Sequence, residues 1–333
     1  MSKIQDNEVR WGILGVGNVC EVKSAPAMNL IPHSKIEAVM RRSEDKVKDY
    51  ANRHGISKWY TSAKSLINDP QVNAIYIATP PKAHLQLAKM SASAGKPVYV
   101  EKPMARTHSE CLEMIDACEQ AGVPLYVAYY RRELPHFLKI KELIDTGALG
   151  EIRTVHINLK QKLDASLITK VETNWRVDPE LAGGGYFFDL ASHQLDLMDF
   201  FFGKITHANG FSSNQAHTYE AEDIVTGSFV FETGVLGSGN WCFTTSEKAE
   251  IDETIIYGSK ATVRFETFGK GEFTLESDGK GKEIFSFDLP KHIQQPLIKT
   301  IVEDLLGSGF CNSTGNSGAR ANWVMDQLVK ESV

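Results

Sequence analysis

The sequence has few cysteines, and none of them form a motif. Cys20, Cys111, Cys118, Cys242 and Cys311 are scattered and odd in number, with no C-x-x-C pair. A disulfide scaffold and a zinc site are therefore not expected, and the thiols read as free, small, mostly buried hydrophobes. No apolar run approaches the roughly 20 residues of a membrane-spanning helix. Basic residues are not in excess: 36 Lys and Arg stand against 42 Asp and Glu, for a net charge of -6. That balance leaves no electrostatic footprint for nucleic acid and no polybasic membrane surface. The opening stretch MSKIQDNEVRWGILG lacks the basic-then-apolar pattern and cleavage site of a signal peptide. The expectation is a cytoplasmic protein with no metal ligand set, no nucleic-acid partner and no membrane partner.

What is present is an ordinary globular composition, 42% hydrophobic and 23% charged over 333 residues, long enough for two cores. Short apolar runs at 9–14, 36–40, 74–78, 98–100 and 125–128 suit strands buried on both faces of a parallel sheet. Helical patterns lie between them at 19–30, 43–54, 82–94 and 109–121. This alternation predicts an α/β fold, an N-terminal doubly wound parallel sheet of Rossmann type. After about residue 150 the pattern changes to β-branched alternation. Glu232-Thr233-Gly234 separates two strand-like runs as a hairpin would, and more runs follow at 253–257, 262–266, 272–275 and 284–287. A C-terminal α+β domain with a large, mostly antiparallel open sheet is expected, closed by helices near 294–306 and 318–330. The boundaries predicted are 1–128 for a dinucleotide-binding domain and 129–333 for a substrate and oligomerisation domain, with the C-terminal helices free to pack back on the first. The stretch 162–185 is long and irregular, as functional loops often are.

The stretch GILGVGNVC, residues 12–20, carries the first chemistry. Gly15 and Gly17 follow a strand-like run and precede a helix-like one, the context a dinucleotide turn needs. The first glycine permits the tight turn. The second lets the backbone approach a pyrophosphate over the helix start at Asn18 and Val19. Cys20 replaces the third glycine and is small enough for its packing role. A thiol there could also make cofactor binding sensitive to modification. At the end of the second strand, where an NAD site usually offers an acid, the chain reads Met40-Arg41-Arg42-Ser43. Two guanidiniums suit a ribose phosphate, so NADP(H) is favoured over NAD(H). If the arginines merely edge a solvated helix start, either cofactor fits.

Three further stretches, ATPPKAH (78–84), GKPVYVEKPMA (95–105) and GGGYFFDLASHQLDL (183–197), resemble the Gfo/Idh/MocA oxidoreductases, the family of glucose–fructose oxidoreductase and inositol dehydrogenase. The likeness runs from Trp11 to about Asp326. It implies hydride transfer between NAD or NADP and a sugar, inositol or related diol. It also implies that Lys102 is the active-site lysine, that Pro103 matches a proline often cis in the family, and that Asp189 and His193 are the catalytic acid and histidine. The residue chemistry agrees. Lys102 lies past the carboxyl end of an inferred strand, where its ammonium could stabilise a developing alkoxide. His193 is suited to general acid/base work, and Asp189, four residues earlier on an inferred helix beginning near Tyr186, could hydrogen-bond the substrate or orient and charge-stabilise the imidazole. The alternative for the pair is a capping carboxylate and a core histidine on an amphipathic helix.

By the same resemblance Glu101 contacts the nicotinamide ribose, and Thr79, Pro80 and His84 form the cofactor-contacting loop. Arg132, Trp175 and Arg176 fall near the active cleft; Arg176 reads as a substrate contact or as an ion pair. The three glycines 183–185 are no phosphate loop, since no Lys-Ser/Thr follows. Two other functions stay open: NAD-dependent glycoside cleavage on the same scaffold, and a non-catalytic nucleotide-binding regulator. A homodimer or homotetramer is expected, as the family's C-terminal sheet commonly packs between subunits.

Overall fold

The computed structural model describes residues 4–163 and 174–333. The chain divides into two compact units, one formed by residues up to Tyr130 with Pro290–Ala319, the other by Arg131–Leu289 with Arg320–Val333.

The first unit carries a six-stranded parallel sheet, β1 (Val9–Leu14), β2 (Ser34–Met40), β3 (Lys58–Tyr60), β4 (Ala74–Ile77), β5 (Val98–Val100) and β6 (Leu125–Val127). The strand order is β3-β2-β1-β4-β5-β6. Strand order reverses between β1 and β4, and open parallel sheets bind ligands beyond the carboxyl ends of the strands at such a point. β4, β5 and β6 are buried at every residue, which is why they read as unbroken apolar runs. Gly12 is required by packing: a Cβ there would stand 2.5 Å from Leu66 Cδ2 and 2.8 Å from Val72 Cγ1. The helices are α1 (Asn18–Val22), α2 (Ala25–Met28), α3 (Glu44–Arg53), α4 (Ala63–Ile67), α5 (His84–Ser93) and α6 (His108–Gln120).

Two expectations are corrected. The single helix over 19–30 is two short ones, because Pro26 near the start of α2 has no N–H to continue the ladder of α1. A strand absent from the sequence reading, β3, adds an edge to the sheet.

The second unit holds a nine-stranded sheet, order β14-β13-β12-β11-β7-β10-β9-β8-β15. Its strands are β7 (Ile152–Lys160), β8 (Ile205–Ser213), β9 (Ile224–Phe231), β10 (Leu236–Cys242), β11 (Ile251–Gly258), β12 (Ala261–Phe265), β13 (Glu272–Ser277), β14 (Gly281–Ser286) and β15 (Glu331–Ser332). It is mostly antiparallel; β7·β10 and β8·β15 are the parallel pairs. The β9–β10 hairpin turns at Gly234, whose φ of 85° is left-handed. Helices α7 (Pro135–Asp145), α8 (Pro179–Ala182) and α9 (Ser192–Phe202) belong to this unit. Val155, Ile157, Leu159, Trp241 and Phe229 supply one buried sheet face, and Leu195, Leu197 and Met198 of α9 are equally buried. Of the irregular stretch 162–185, residues 164–173 lie outside the described residues. The rest includes a 3-10 turn at Trp175–Val177 and α8.

The remaining helices are α10 (Gln295–Leu305), in the first unit, and α11 (Gly315–Leu328). Ser313 ties the returning chain to β6: its carbonyl accepts from Val127 N at 3.0 Å and its hydroxyl donates to Val127 O at 2.7 Å. No described helix is long and apolar enough to cross a membrane.

Candidate active site

In the first unit the candidate residues gather at the carboxyl ends of β1, β4 and β5. The β1–α1 turn is pulled over β2, Gly15 N donating to Met40 O at 2.9 Å. Gly15 has φ of 95°, and a Cβ on it would stand 2.8 Å from Thr79 Cγ2 and 3.0 Å from Ala78 O. The turn therefore rests directly on the end of β4. Gly17, which precedes α1, has nothing within 4 Å of where its Cβ would be, and Asn18 beside it is exposed. That open backbone is what a pyrophosphate needs. Thr79 Oγ1 is buried without a protein partner, so a polar ligand group would satisfy it. Arg41 Nη1 donates to Val16 O at 3.1 Å, laying its guanidinium along the turn, and Arg42 is exposed. These residues fit a dinucleotide.

Other predicted contacts are placed differently. His84 is fully buried, with Nε2 2.7 Å from Thr79 O and Nδ1 3.1 Å from Met104 O. It braces the loop after β4 against the loop after β5, with both ring nitrogens engaged by backbone. Burial holds its pKa below the ordinary histidine value. Cys20 is fully buried beneath the turn, and burial pushes its thiol up to about 12. The expected sensitivity of this thiol to modification is thereby corrected, since the reactive thiolate is neither accessible nor populated.

Glu101 follows β5. Its Oε1 accepts from Tyr76 OH at 2.6 Å and from Gln294 Nε2 at 2.8 Å, while Oε2 lies 3.2 Å from Lys102 N. Lys102 comes next, half-buried, joined to Pro103 by a cis peptide bond.

In the second unit the helix expected from about Tyr186 begins as a π turn, Phe187–Ala191, and continues as α9. Asp189 is in the π turn and His193 in the first turn of α9. Wide turns of this kind recur at functional sites. The three glycines before it are packing positions. Gly183 ends α8 at φ of 90°, a Cβ on Gly184 would collide with the Phe188 ring, and Gly185 N donates to Glu222 Oε1 at 2.9 Å. Glu222, which the sequence did not signal, is buried enough that its carboxyl is raised above the usual range.

Asp189 Oδ2 accepts from Arg176 Nε at 3.1 Å, and the Arg176 guanidinium stacks 4.4 Å over the Trp175 ring. Arg176 therefore stands as an ion-pair partner of Asp189. His193 is 3% exposed, its ring edge-on to Phe268 at 6.1 Å. Next to it, Gln194 Oε1 accepts from Trp241 Nε1 at 2.7 Å, anchoring α9 to the sheet.

Arg132 differs from the expectation of a cleft residue. Its guanidinium is buried between Asp196, at 2.7 and 2.8 Å, and Asp199, at 3.0 Å. Arg320 pairs with Asp199 from the far side at 2.6 and 2.7 Å. This is an ion-pair cluster that joins Arg132, in a 3-10 turn at Tyr130–Glu133, to α9 and α11. Burial pushes Asp196 up to about 6 against the pull of Arg132.

Residues 9–129 match the oxidoreductase family with an NAD-binding Rossmann fold, and residues 137–264 match the GFO/IDH/MocA C-terminal domain. Oxidoreductase P35 of Formosa agariphila is 40% identical over 321 residues, 96% of this chain and 98% of the relative. The myo-inositol 2-dehydrogenase of Thermotoga maritima is 24% identical over 94% of this chain and 93% of its own. A levoglucosan dehydrogenase structure, in complex with NADH and levoglucosan, shares the fold with a TM-score of 0.87 at 21% identity, covering 97% and 96% of the two chains. A glycine turn at the switch point of a six-stranded parallel sheet and a large, mostly antiparallel second sheet thus occur with family matches in both halves, and the chain belongs to the Gfo/Idh/MocA oxidoreductases.

Proposed function

We propose that this oxidoreductase moves a hydride between NADP(H) and a carbinol carbon of a sugar, polyol or diol, with Lys102, Asp189 and His193 as its catalytic residues. The observation that carries the reading is the convergence of Gly15, Gly17, Thr79 and the Glu101-Lys102 pair at the carboxyl ends of three neighbouring strands, β1, β4 and β5. Two of the relatives suggest the substrate class: one is a myo-inositol 2-dehydrogenase and one a levoglucosan dehydrogenase in complex with levoglucosan.

Bound nicotinamide supplies the hydride acceptor or donor. The chain's residues manage the rest. In the oxidative direction His193 takes the hydroxyl proton as the C–H bond gives up its hydride; in reduction it returns the proton. Lys102 hydrogen-bonds the reacting oxygen and offsets its developing negative charge. Asp189, held by Arg176, fixes the orientation of the substrate or of the imidazole. Gly17, Asn18, Val19, Thr79 and Pro80 bind the dinucleotide, and Glu101 takes a ribose hydroxyl. Arg41, already laid along the turn, and exposed Arg42 favour the 2′-phosphate of NADP(H).

The test is a fluorescence titration of cofactor-stripped protein with NADPH and NADH, followed by a sugar and polyol screen. NADPH binding at least about tenfold tighter is expected, and Arg41→Ala/Arg42→Ala should erase the difference. NADH binding about tenfold tighter than NADPH would overturn the preference. Absence of any absorbance change with every alcohol, together with retained NAD, would move the assignment to the glycoside-cleaving relatives. A homodimer or homotetramer in a reducing, cytoplasmic compartment completes the proposal, consistent with five free cysteines; light scattering at micromolar concentration reads the assembly.

A further inference from the structure

The chain re-enters the first unit at Pro290, and within a few residues it supplies a side chain to the Glu101 carboxylate. Gln294 is 1% exposed and stands at the N-cap of α10. Its amide bridges two residues at the end of β5: Nε2 donates to Glu101 Oε1 at 2.8 Å, and Oε1 accepts from Tyr99 OH at 2.9 Å. The orientation is not ambiguous, because only the NH2 end of an amide can face a carboxylate. Tyr76 OH closes the set on the same Glu101 oxygen at 2.6 Å, its ring stacked on Tyr99 at 4.8 Å. Burial, reinforced by the Glu101 charge, pushes both phenols well above their ordinary range, so both stay donors.

The same segment grips the helix after the glycine turn. His292 Nδ1 lies 2.8 Å from Val22 O, and Gln294 N donates to Lys23 O at 3.4 Å. Ser24 Oγ stands 3.1 Å from the Tyr76 phenol oxygen. One residue is thus tied to both ends of the proposed dinucleotide site, by its side chain to Glu101 and by its backbone N–H to Lys23 O.

We infer that Gln294 is a positioning residue: it immobilises Oε1 of Glu101 so that Oε2, beside the Lys102 N–H, is presented to a ribose hydroxyl of the dinucleotide, in fixed register with the glycine turn. The inference rests on the proposed ribose role of Glu101. An amide is needed here because the position must donate to a carboxylate and accept from a phenol at once. Methionine has no donor for the carboxylate. Glutamate would set two buried carboxyl groups face to face, and such a pair keeps a proton between them.

The experiment measures NADPH dissociation constants for wild type, Gln294→Met, Gln294→Glu and Glu101→Gln between about pH 5 and pH 9. Gln294→Met should bind about tenfold more weakly at every pH. Gln294→Glu should be about tenfold weaker at alkaline pH and return toward wild type as acid restores a shared proton. A purely structural residue would lower the melting temperature without imposing that pH dependence. If only one Gln294 variant folds, its titration decides; if neither folds, the residue is structural and the inference fails. Affinities within twofold of wild type across the range also overturn it, provided Glu101→Gln has lost affinity. If Glu101→Gln binds normally, it is the ribose role of Glu101 that fails.

Discussion

Replacing Arg132 by methionine separates a substrate-binding arginine from a structural one. The Arg132 side chain is 4% exposed and its two partners are 1% and 3% exposed, so the pair sits in a desolvated setting. Asp199 keeps the bidentate grip of Arg320 after the substitution, at 2.6 and 2.7 Å. Among the described residues Asp196 keeps no such cationic partner. Removing one member of a buried pair typically costs about 3–5 kcal/mol, because the remaining charge stays in low dielectric. The carboxyl of Asp196, already raised to about 6 by burial, rises further in the variant and takes a proton near neutral pH. The deficit should therefore be largest in alkali and shrink as pH falls. Removing the charge as well, in Arg132→Met/Asp196→Leu, should recover most of the loss. Urea unfolding followed by circular dichroism reads the stability, and kcat/KM reads the catalysis. A variant that loses under about 1 kcal/mol of stability while kcat/KM falls about 100-fold would refute the structural assignment and return Arg132 to the substrate.

Three other outcomes follow from the geometry. His193→Ala should lower kcat by about 10²–10⁴, the usual worth of a general base, and turnover within about threefold of wild type would remove that role. A charged thiol reagent should leave Cys20 unmodified in the native protein and react with it in urea; rapid native labelling with loss of NADPH affinity would contradict its burial. Asp252 is raised from 3.8 to about 6, by burial first and against hydrogen bonds from the Phe268 and Thr267 backbones. A raised carboxyl contributes stability that is complete below the unfolded pKa and lost as pH climbs through the folded one. Between pH 3.8 and about 6 the wild type should thus lose about 3 kcal/mol relative to Asp252→Asn, read as the difference between their urea-unfolding free energies; parallel stability curves would contradict the shift.

The parallel sheet was readable because β4, β5 and β6 are buried on both faces and so are written as continuous apolar runs. The glycine turn is legible because Gly15 must be glycine for local reasons, while Gly17 leaves the backbone open toward a ligand. β3, Lys58-Trp59-Tyr60, escaped notice: an edge strand of three half-buried residues has neither length nor alternation to mark it. The family likeness alone puts Arg132 near the cleft; its carboxylate partners, 64 and 67 positions away, lie beyond any local pattern. Gln294 is 193 positions from Glu101, and an isolated glutamine before a helix carries no signal of its own. The π turn that holds Asp189 has the same sequence periodicity as an ordinary helix, so only coordinates separate them.

The returning chain also constrains how the protein can be made. Val127 meets Ser313, Tyr126 meets Asp304 and Glu101 meets Gln294 within the first unit, while Gly210 and Gly227 in the second lie under Leu328. The first core has all its parts only once the chain has passed residue 313, and the second only once it has passed residue 328. The nascent N-terminal sheet must wait for its last helix with the end of β6 uncovered, a window in which a chaperone would find apolar surface. An expression fragment ending near residue 130 would be left in that incomplete state permanently.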